Sequence, residues 1–350
     1  MKKQELNMTL NRVIEELFET SDETALKRAS EEVRLRYRDE DTKRADLRIQ
    51  SKGEAQAYLA WRYPVTAMVI HEVMGRLKEI QPGFMPETVL DLGAGPAVSV
   101  MPLISQFPGV KKIALVEEQQ AMQEAGQNIL RALGSLVPPE LELERIRGSF
   151  LKKELPQADL VLASYALNEL APDEISKLCV KLEESALGAV AFIVPGTPPH
   201  FRKLLKVRNH LLEKGFRIIA PCTFTGSCHM EDETDWCHFY ERIQRSALLR
   251  RLKDGELAYE DEKFSYLIVV RDGLLEEAET GADKARIIRH PMIRKGRREV
   301  TLCHETGITM IQFTKRRHPE TYKDLRSRGW GDLLEVDVFR DDDDEEDEQS

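Results

Sequence analysis

Val89-Leu90-Asp91-Leu92-Gly93-Ala94-Gly95-Pro96 is the stretch whose reading decides the fold. A short apolar run ends here in two glycines one residue apart, and helix-compatible sequence follows. Glycine is wanted where backbone must turn tightly and approach a ligand with no Cβ in the way. The third glycine of a dinucleotide fingerprint would fall at Val98, so a pyrophosphate ligand is a poor match. Asp91, at the strand end just before the loop, suits a ligand carrying an ammonium instead.

Outward from this loop, β-branched runs fall at 88–92, 112–117, 141–146, 158–163 and 189–194, with helical stretches between most of them. That alternation belongs to a parallel sheet with helices on both faces. Upstream, Leu10, Val13, Ile14 and Leu17 recur at helical spacing. A further helix is predicted from about 64 to 80, with Pro64 in its first turn and Gln81-Pro82-Gly83 beyond its end. After residue 216 the alternation stops. Residues 216–262 hold three cysteines, and strand character resumes at 264–270, 300–303 and 308–313, the last two separated by the hairpin turn His304-Glu305-Thr306-Gly307. The expected architecture is α/β: a helical region at 1–85 and a doubly wound domain at 86–340. A cysteine-bearing insertion at 216–305 precedes the final strands, and an acidic tail occupies 341–350.

The 350 residues are 41% apolar and 32% charged, which excludes disorder throughout and allows a sizeable core. No apolar run approaches the roughly 20 residues that span a bilayer, so no membrane partner is expected. The N-terminus has no signal-peptide apolar segment, and Glu5, Glu15, Glu16 and Glu19 are unlike a transit peptide, so a cytoplasmic location is expected. Eight acids at 341–348 supply most of the net charge of −10; the remaining 53 acids nearly balance 51 bases. Between 281 and 330, thirteen Lys and Arg face five acids, and Arg289, Arg294, Lys295, Arg297 and Arg298 fall within ten residues. This density points to a polyanion such as RNA; the rival is a solvated basic surface.

Glu117 closes the second predicted strand, where a carboxylate can accept both hydroxyls of a ribose. The combination resembles the class I S-adenosylmethionine-dependent methyltransferases. The resemblance implies that Asp91, Gly93 and Gly95 cradle the methionine end, that Glu117 holds the ribose, and that Ser149 lies near the adenine, where many members carry an acid. The fourth strand runs into Ser164-Tyr165-Ala166-Leu167-Asn168-Glu169-Leu170. It lacks both the Asp/Asn-Pro-Pro-aromatic motif of amino-group methyltransferases and the nucleophilic cysteine of carbon-5 cytosine enzymes. The sequence therefore names no catalytic residue.

Cys179 sits in a helix-like stretch and reads as a core residue. Cys222, Cys228, Cys237 and Cys303 are separated by five, eight and 65 residues. In a reducing compartment such thiols point to metal rather than disulfides, and four of them suit zinc or an iron–sulfur cluster. No close cysteine pair of the usual zinc spacing occurs, which favours a cluster; His229, His238 and His304 each follow one of these cysteines and keep a mixed zinc site as the alternative.

Trp236-Cys237-His238-Phe239, Arg242, Arg245-Ser246 and Asp261-Glu262-Lys263-Phe264-Ser265-Tyr266-Leu267 occur with Tyr58-Leu59-Ala60-Trp61-Arg62-Tyr63-Pro64 and the glycine loop. Leu167-Asn168-Glu169-Leu170, Pro195-Gly196-Thr197-Pro198, Ile293-Arg294-Lys295-Gly296 and Gly329-Trp330-Gly331-Asp332 complete the set. Together they resemble the Rsm22 family, methyltransferase-like assembly factors of the mitochondrial small ribosomal subunit with bacterial relatives. The resemblance implies a four-iron, four-sulfide cluster on Cys222, Cys228, Cys237 and Cys303, and attachment to small-subunit rRNA in ribosome assembly or translation. Val194 stands where relatives usually carry Glu, near the cofactor end of the sheet. Three functions follow: an rRNA methyltransferase, a non-catalytic assembly factor of the same fold, or a small-molecule methyltransferase with a structural zinc site. The basic stretch argues against the last.

Overall fold

The computed structural model describes residues 1–38, 49, 51–231, 234–271 and 284–335. In chain order the helical region comprises α1 (Lys3–Leu17), α2 (Glu23–Arg38) and α3 (Lys52–Ile80). There follow β1 (Thr88–Leu92), α4 (Val100–Gln106), β2 (Lys112–Glu117), α5 (Gln120–Leu133), β3 (Glu142–Arg147) and β4 (Ala158–Ser164). Next come α6 (Pro172–Ser185), β5 (Ala186–Pro195), α7 (Pro198–Glu213), β6 (Phe216–Ala220), β7 (Phe239–Gln244), α8 (Ala247–Leu252) and β8 (Tyr259–Arg271). The last elements are β9 (Lys284–Ile287), β10 (Met292–Arg294), β11 (Arg297–His304), β12 (Gly307–Thr314), α9 (Pro319–Asp324) and β13 (Leu333–Glu335).

The main sheet has the order β3-β2-β1-β4-β5-β8-β6, with β7 also paired to β8. Strands β1 to β5 pair in parallel, and β8 runs antiparallel to β5 and β6. Chain direction along the sheet reverses between β1 and β4, which opens a crevice at their carboxyl ends. Helices cover both faces, so the inner strands are apolar throughout rather than alternating. In β5, Ala189, Ala191 and Ile193 enter one core beside Leu10, Met68 and Ile129, while Val190, Phe192 and Val194 enter the other beside Leu178, Leu182 and Leu211.

Two expectations are corrected. Helix α3 begins twelve residues before Pro64, with Ser51 accepting the Glu54 N–H at 3.1 Å as its N-cap, so the proline lies in the helix interior. An interior proline costs about 3 kcal/mol of helix propensity. Burial of Ala55, Ala57, Leu59 and Ala60 holds the earlier turns in place against that cost. Secondly, the strands after residue 284 do not finish the doubly wound sheet. Strand β8 already fills the slot between β5 and β6 and carries β7 as well, so β9 to β13 form a second sheet. That sheet has its own small core of Ala285, Ile287, Val300, Leu302, Phe313, Leu325 and Leu334. Cys222, Cys228 and Cys237 fall between β6 and β7, whereas Cys303 lies on β11 of the second sheet. The acidic tail lies outside the described residues. Among those described, no helix is long and apolar enough to cross a membrane.

Candidate functional site

The turn after β1 is set by Gly93 and Gly95, with φ of 74° and 53°. A Cβ on Gly93 would stand 2.7 Å from the Cβ of Ala166, so the close approach of the β1 and β4 loops requires glycine. The N–H groups of Gly93 and Ala94 both donate to the Val116 carbonyl, at 2.9 and 3.0 Å. Glu117 completes the tie: its Oε2 accepts the Gly95 N–H at 2.9 Å and its Oε1 the Gln119 N–H at 2.7 Å. Burial raises the Glu117 carboxyl above its ordinary value, while these backbone bonds oppose the rise. A cavity at these strand ends is lined by Gly93, Gly95, Glu117 and Ser149, together with Tyr58, Phe150, Tyr165 and Glu169.

Asp91 is placed differently from its expected role. It is 1% exposed, stands outside the cavity wall and accepts the Ser99 hydroxyl at 2.5 Å. Burial pushes its carboxyl up to about 7; the Ser99 bond opposes this and the Glu117 charge adds to it. Asp91 thus fixes the glycine loop from beneath rather than facing a ligand. Tyr58, Phe150, Tyr165 and Glu169 were not among the expected ligand contacts, although Tyr58 and Glu169 lie inside quoted motifs. Tyr165 leaves β4 with φ of 58°. The Arg62 guanidinium lies over its ring at 4.7 Å and pairs with Glu262 at 2.8 Å.

A second cavity gathers Cys222, Cys228 and Cys237 from the loop between β6 and β7 with Cys303 from β11. Its other walls are Phe201, Leu205 and Arg208 of α7, Met230, Tyr266 of β8 and Ile288. Ser265 donates its hydroxyl to the Cys237 carbonyl at 2.7 Å, which anchors that cysteine to β8. Burial raises the Cys237 thiol well above its ordinary range; burial and the neighbouring Cys222 and Cys228 push Cys303 up to about 12. Among the described residues, no group of three His, Cys, Asp or Glu is arranged to hold a single metal ion. Two of the candidate histidines stand outside the cavity wall. His238 stacks on Trp236 at 4.8 Å with Nδ1 bonded to the Trp236 carbonyl, and His304 Nδ1 bonds Thr306. His229 does line the cavity, but its Nε2 donates to the His304 carbonyl at 2.8 Å. Cys179 is fully buried among Leu178 and Leu182 of the main-sheet core and does not line that cavity.

The basic stretch divides in two. Arg298 is 7% exposed, donates to the Leu325 carbonyl and lies 5.1 Å over the Tyr322 ring, so it is a core residue with no surface for a phosphate. Arg289 bonds the Asp235 carboxylate, and Arg297 lies 3.4 Å from Glu299. Arg294 and Lys295 are exposed and have no acid partner among the described residues. The Lys315 N–H donates to the Gly296 carbonyl at 3.0 Å, bringing exposed Lys315, Arg316 and Arg317 beside them. The sequence reading had not singled out that second basic turn.

The family model described as mitochondrial small ribosomal subunit Rsm22 matches residues 52–335. The human mitochondrial ribosome assembly protein METTL17 is 24% identical over 310 residues, covering 82% of this chain and 63% of that protein. The mitochondrial Rsm22-cox11 tandem protein 2 of Schizosaccharomyces pombe is 22% identical over 344 residues, covering 85% of this chain and 44% of that one. The chain therefore spans about half to two thirds of the length of these relatives. Among solved structures, the magnesium protoporphyrin IX methyltransferase of Synechocystis with bound S-adenosylhomocysteine matches at 13% identity. That match covers 64% of this chain and 89% of that one, with a TM-score of 0.40. The relatives' names overturn the cytoplasmic location expected above, since they point to the mitochondrion. Most of the acidic N-terminal stretch that suggested it is helix α1, whose Leu6, Leu10, Val13 and Ile14 are buried, so Glu5, Glu15 and Glu16 belong to the outer side of a packed helix.

Proposed function

The chain belongs to the Rsm22 family, and from that premise we propose that it binds S-adenosylmethionine, carries an iron–sulfur cluster and acts with small-subunit rRNA in ribosome assembly. The observation that carries the RNA part is the joined pair of basic turns, Arg294-Lys295 and Lys315-Arg316-Arg317, exposed and without acid partners among the described residues. The name of the human relative, a ribosome assembly protein, supports the setting. For the cofactor, support comes from the glycine-loop cavity at the sheet's switch point, where Gly93, Gly95, Glu117 and Ser149 would hold S-adenosylmethionine. That group supplies an electrophilic methyl when bound. Glu117 would offer remaining lone-pair capacity to a ribose, because a carboxylate has about four acceptor positions and backbone N–H groups take only some of them.

For the cluster, support comes from the donor set. Four thiols lining one largely apolar cavity are the donor set that an iron–sulfur cluster takes. Cys222, Cys228, Cys237 and Cys303 would hold it. The parts are proposed as a helical region at 1–85, a methyltransferase-like domain at 86–340 with the cysteine-bearing part at 216–305, and the tail at 341–350.

Methyl transfer to RNA is a second reading. One observation favours it: Tyr165 lines the cavity, where its hydroxyl can donate a hydrogen bond to an acceptor group. The experiment for the main reading is a salt titration of binding to small-subunit rRNA. It compares wild type with a variant in which Arg294, Lys295, Lys315, Arg316 and Arg317 are all alanine. The log–log salt slope falls by roughly 0.7–0.9 for each phosphate contact removed. An unchanged affinity and slope would make this end of the molecule an ordinary solvated surface.

A further inference from the structure

Two arginines beside the cysteine cavity are buried with no acid partner among the described residues. Arg208 of α7 and Arg286 of β9 are each 3% exposed. A guanidinium keeps its proton in a protein, so each is a buried positive charge, and buried charges are ordinarily paired. Among the described residues, Arg208 donates only to the Gly226 carbonyl and the Asn209 side-chain oxygen, and its Nε has no partner. Arg286 donates to the carbonyls of Pro221 and Gly331, each at 2.8 Å. Among the described residues, neither has a carboxylate partner. What they do share is a neighbour. Arg208 lines the cavity that holds all four thiols, and Arg286 stands directly opposite Cys303 across the β9–β11 ladder. Residues so paired point to the same face of the sheet with Cβ atoms roughly 5 Å apart.

We propose that Arg208 and Arg286 are the counter-charges of the cluster held by Cys222, Cys228, Cys237 and Cys303, and that they set its reduction potential. The inference rests on the cluster reading above. Cysteine ligates as thiolate, so metal binding brings negative charge into a cavity walled by Phe201, Leu205, Met230 and Ile288. Two fixed cations in the same apolar surroundings offset that charge without water. Reduction adds one more negative charge to the cluster, and nearby cations favour the reduced form, so they raise the potential. The rival explanation is mechanical: both guanidiniums grip the backbone of the loop at 221–226, and they could serve only as clamps.

The test uses the full chain reconstituted anaerobically with iron and sulfide. One-electron reduction by dithionite is followed by visible absorbance against viologen mediators. Arg208→Met and Arg286→Met each lower the equilibrium constant for reduction about tenfold, which is 59 mV for a one-electron couple. Arg208→Lys and Arg286→Lys, which keep the charge, stay near wild type. Arg208→Gln covers the case where the methionine variant does not fold, because it keeps a donor for Gly226 and loses only the charge; it should track the methionine result. Iron bound in full with the potential unmoved in the Gln or Met variants would overturn the proposal and leave the clamp role. Wild-type protein that takes up no iron would remove the cluster reading itself, a different failure that ends this inference as well.

Discussion

The glycine-loop cavity takes its walls from the ends of β2 and β4, the loops after β1, β2, β3 and β4, and Tyr58 of α3. The cysteine cavity draws instead on α7, the loop between β6 and β7, strand β8, and β11 of the second sheet. One site is in place once the parallel sheet and the helix α3 packed on it have formed. The other exists only when the second sheet has docked, since Cys303 arrives with it. A ligand in the first cavity is therefore a guest on a finished scaffold. In the second it would be a fastener between two sheets, and its loss should damage structure as well as occupancy.

The largest effect expected from this contrast is at Cys303. Replacing it with serine should empty the site of iron and expose the loop at 222–237 to limited proteolysis, while leaving S-adenosylmethionine affinity within a few fold of wild type. Cys179→Ser is the control. It puts a hydroxyl into the apolar core of α6, costing roughly 1–3 kcal/mol of stability, but keeps full iron content. Equal loss of iron from both variants would break the assignment of the ligands.

At the other cavity the counterpart is Gly93→Ala. The added methyl would meet Ala166 at 2.7 Å on a backbone with φ of 74°. Calorimetric affinity for S-adenosylmethionine should fall at least a hundredfold, about 3 kcal/mol, with iron content unchanged. Gly95→Ala meets only the flexible end of Met122, at 3.5 Å, and should lose less. If Gly93→Ala also released iron, the two cavities would not be independent.

How much of this was legible in sequence follows the same division. The glycine loop is contiguous, so its strand, its turn and the acid at Glu117 could be read together. The fate of Asp91 could not, because a strand-end acid can face a ligand or tuck beneath the loop, and only the contact with Ser99, eight residues on, decides it. Cys222, Cys228, Cys237 and Cys303 could be set apart from Cys179 in the sequence. Their convergence on one cavity was not legible there, since it depends on Cys303 pairing across to Arg286 on β9. The short β9 and β10 carry too few residues to show a pattern.

A pH experiment sharpens the account of Asp91. In the unfolded chain an aspartate gives up its proton near pH 4 (about 3.9), whereas in the folded protein this one holds it to about 7. Between those values the native state binds the extra proton, so stability falls as pH rises through this window and levels off above it. Asp91→Asn removes the titrating group. The decline in melting temperature between about pH 4 and 7 should flatten in that variant relative to wild type. An identical pH profile would show that Asp91 titrates normally and that its burial beneath the loop has no electrostatic consequence.

The smallest effects separate Arg294 from Arg298, four residues apart in a stretch that composition treats as uniform. Along β10 and β11 the chain doubles back, and Arg294 pairs with Arg297 at the exposed turn while Arg298 lies opposite Phe313 of the small core. Arg294→Ala should leave stability within about 0.5 kcal/mol, as for an isolated surface side chain. It should lower the salt slope of rRNA binding by about one. Arg298→Ala should do the reverse. Loss of its bond to the Leu325 carbonyl and its packing on Tyr322 should cost roughly 2 kcal/mol. At a temperature where the variant is still folded, its salt slope should match wild type. A slope reduced equally in both variants would mean that the second sheet opens to bind RNA, because a guanidinium held beneath α9 can reach a phosphate only if that packing is undone.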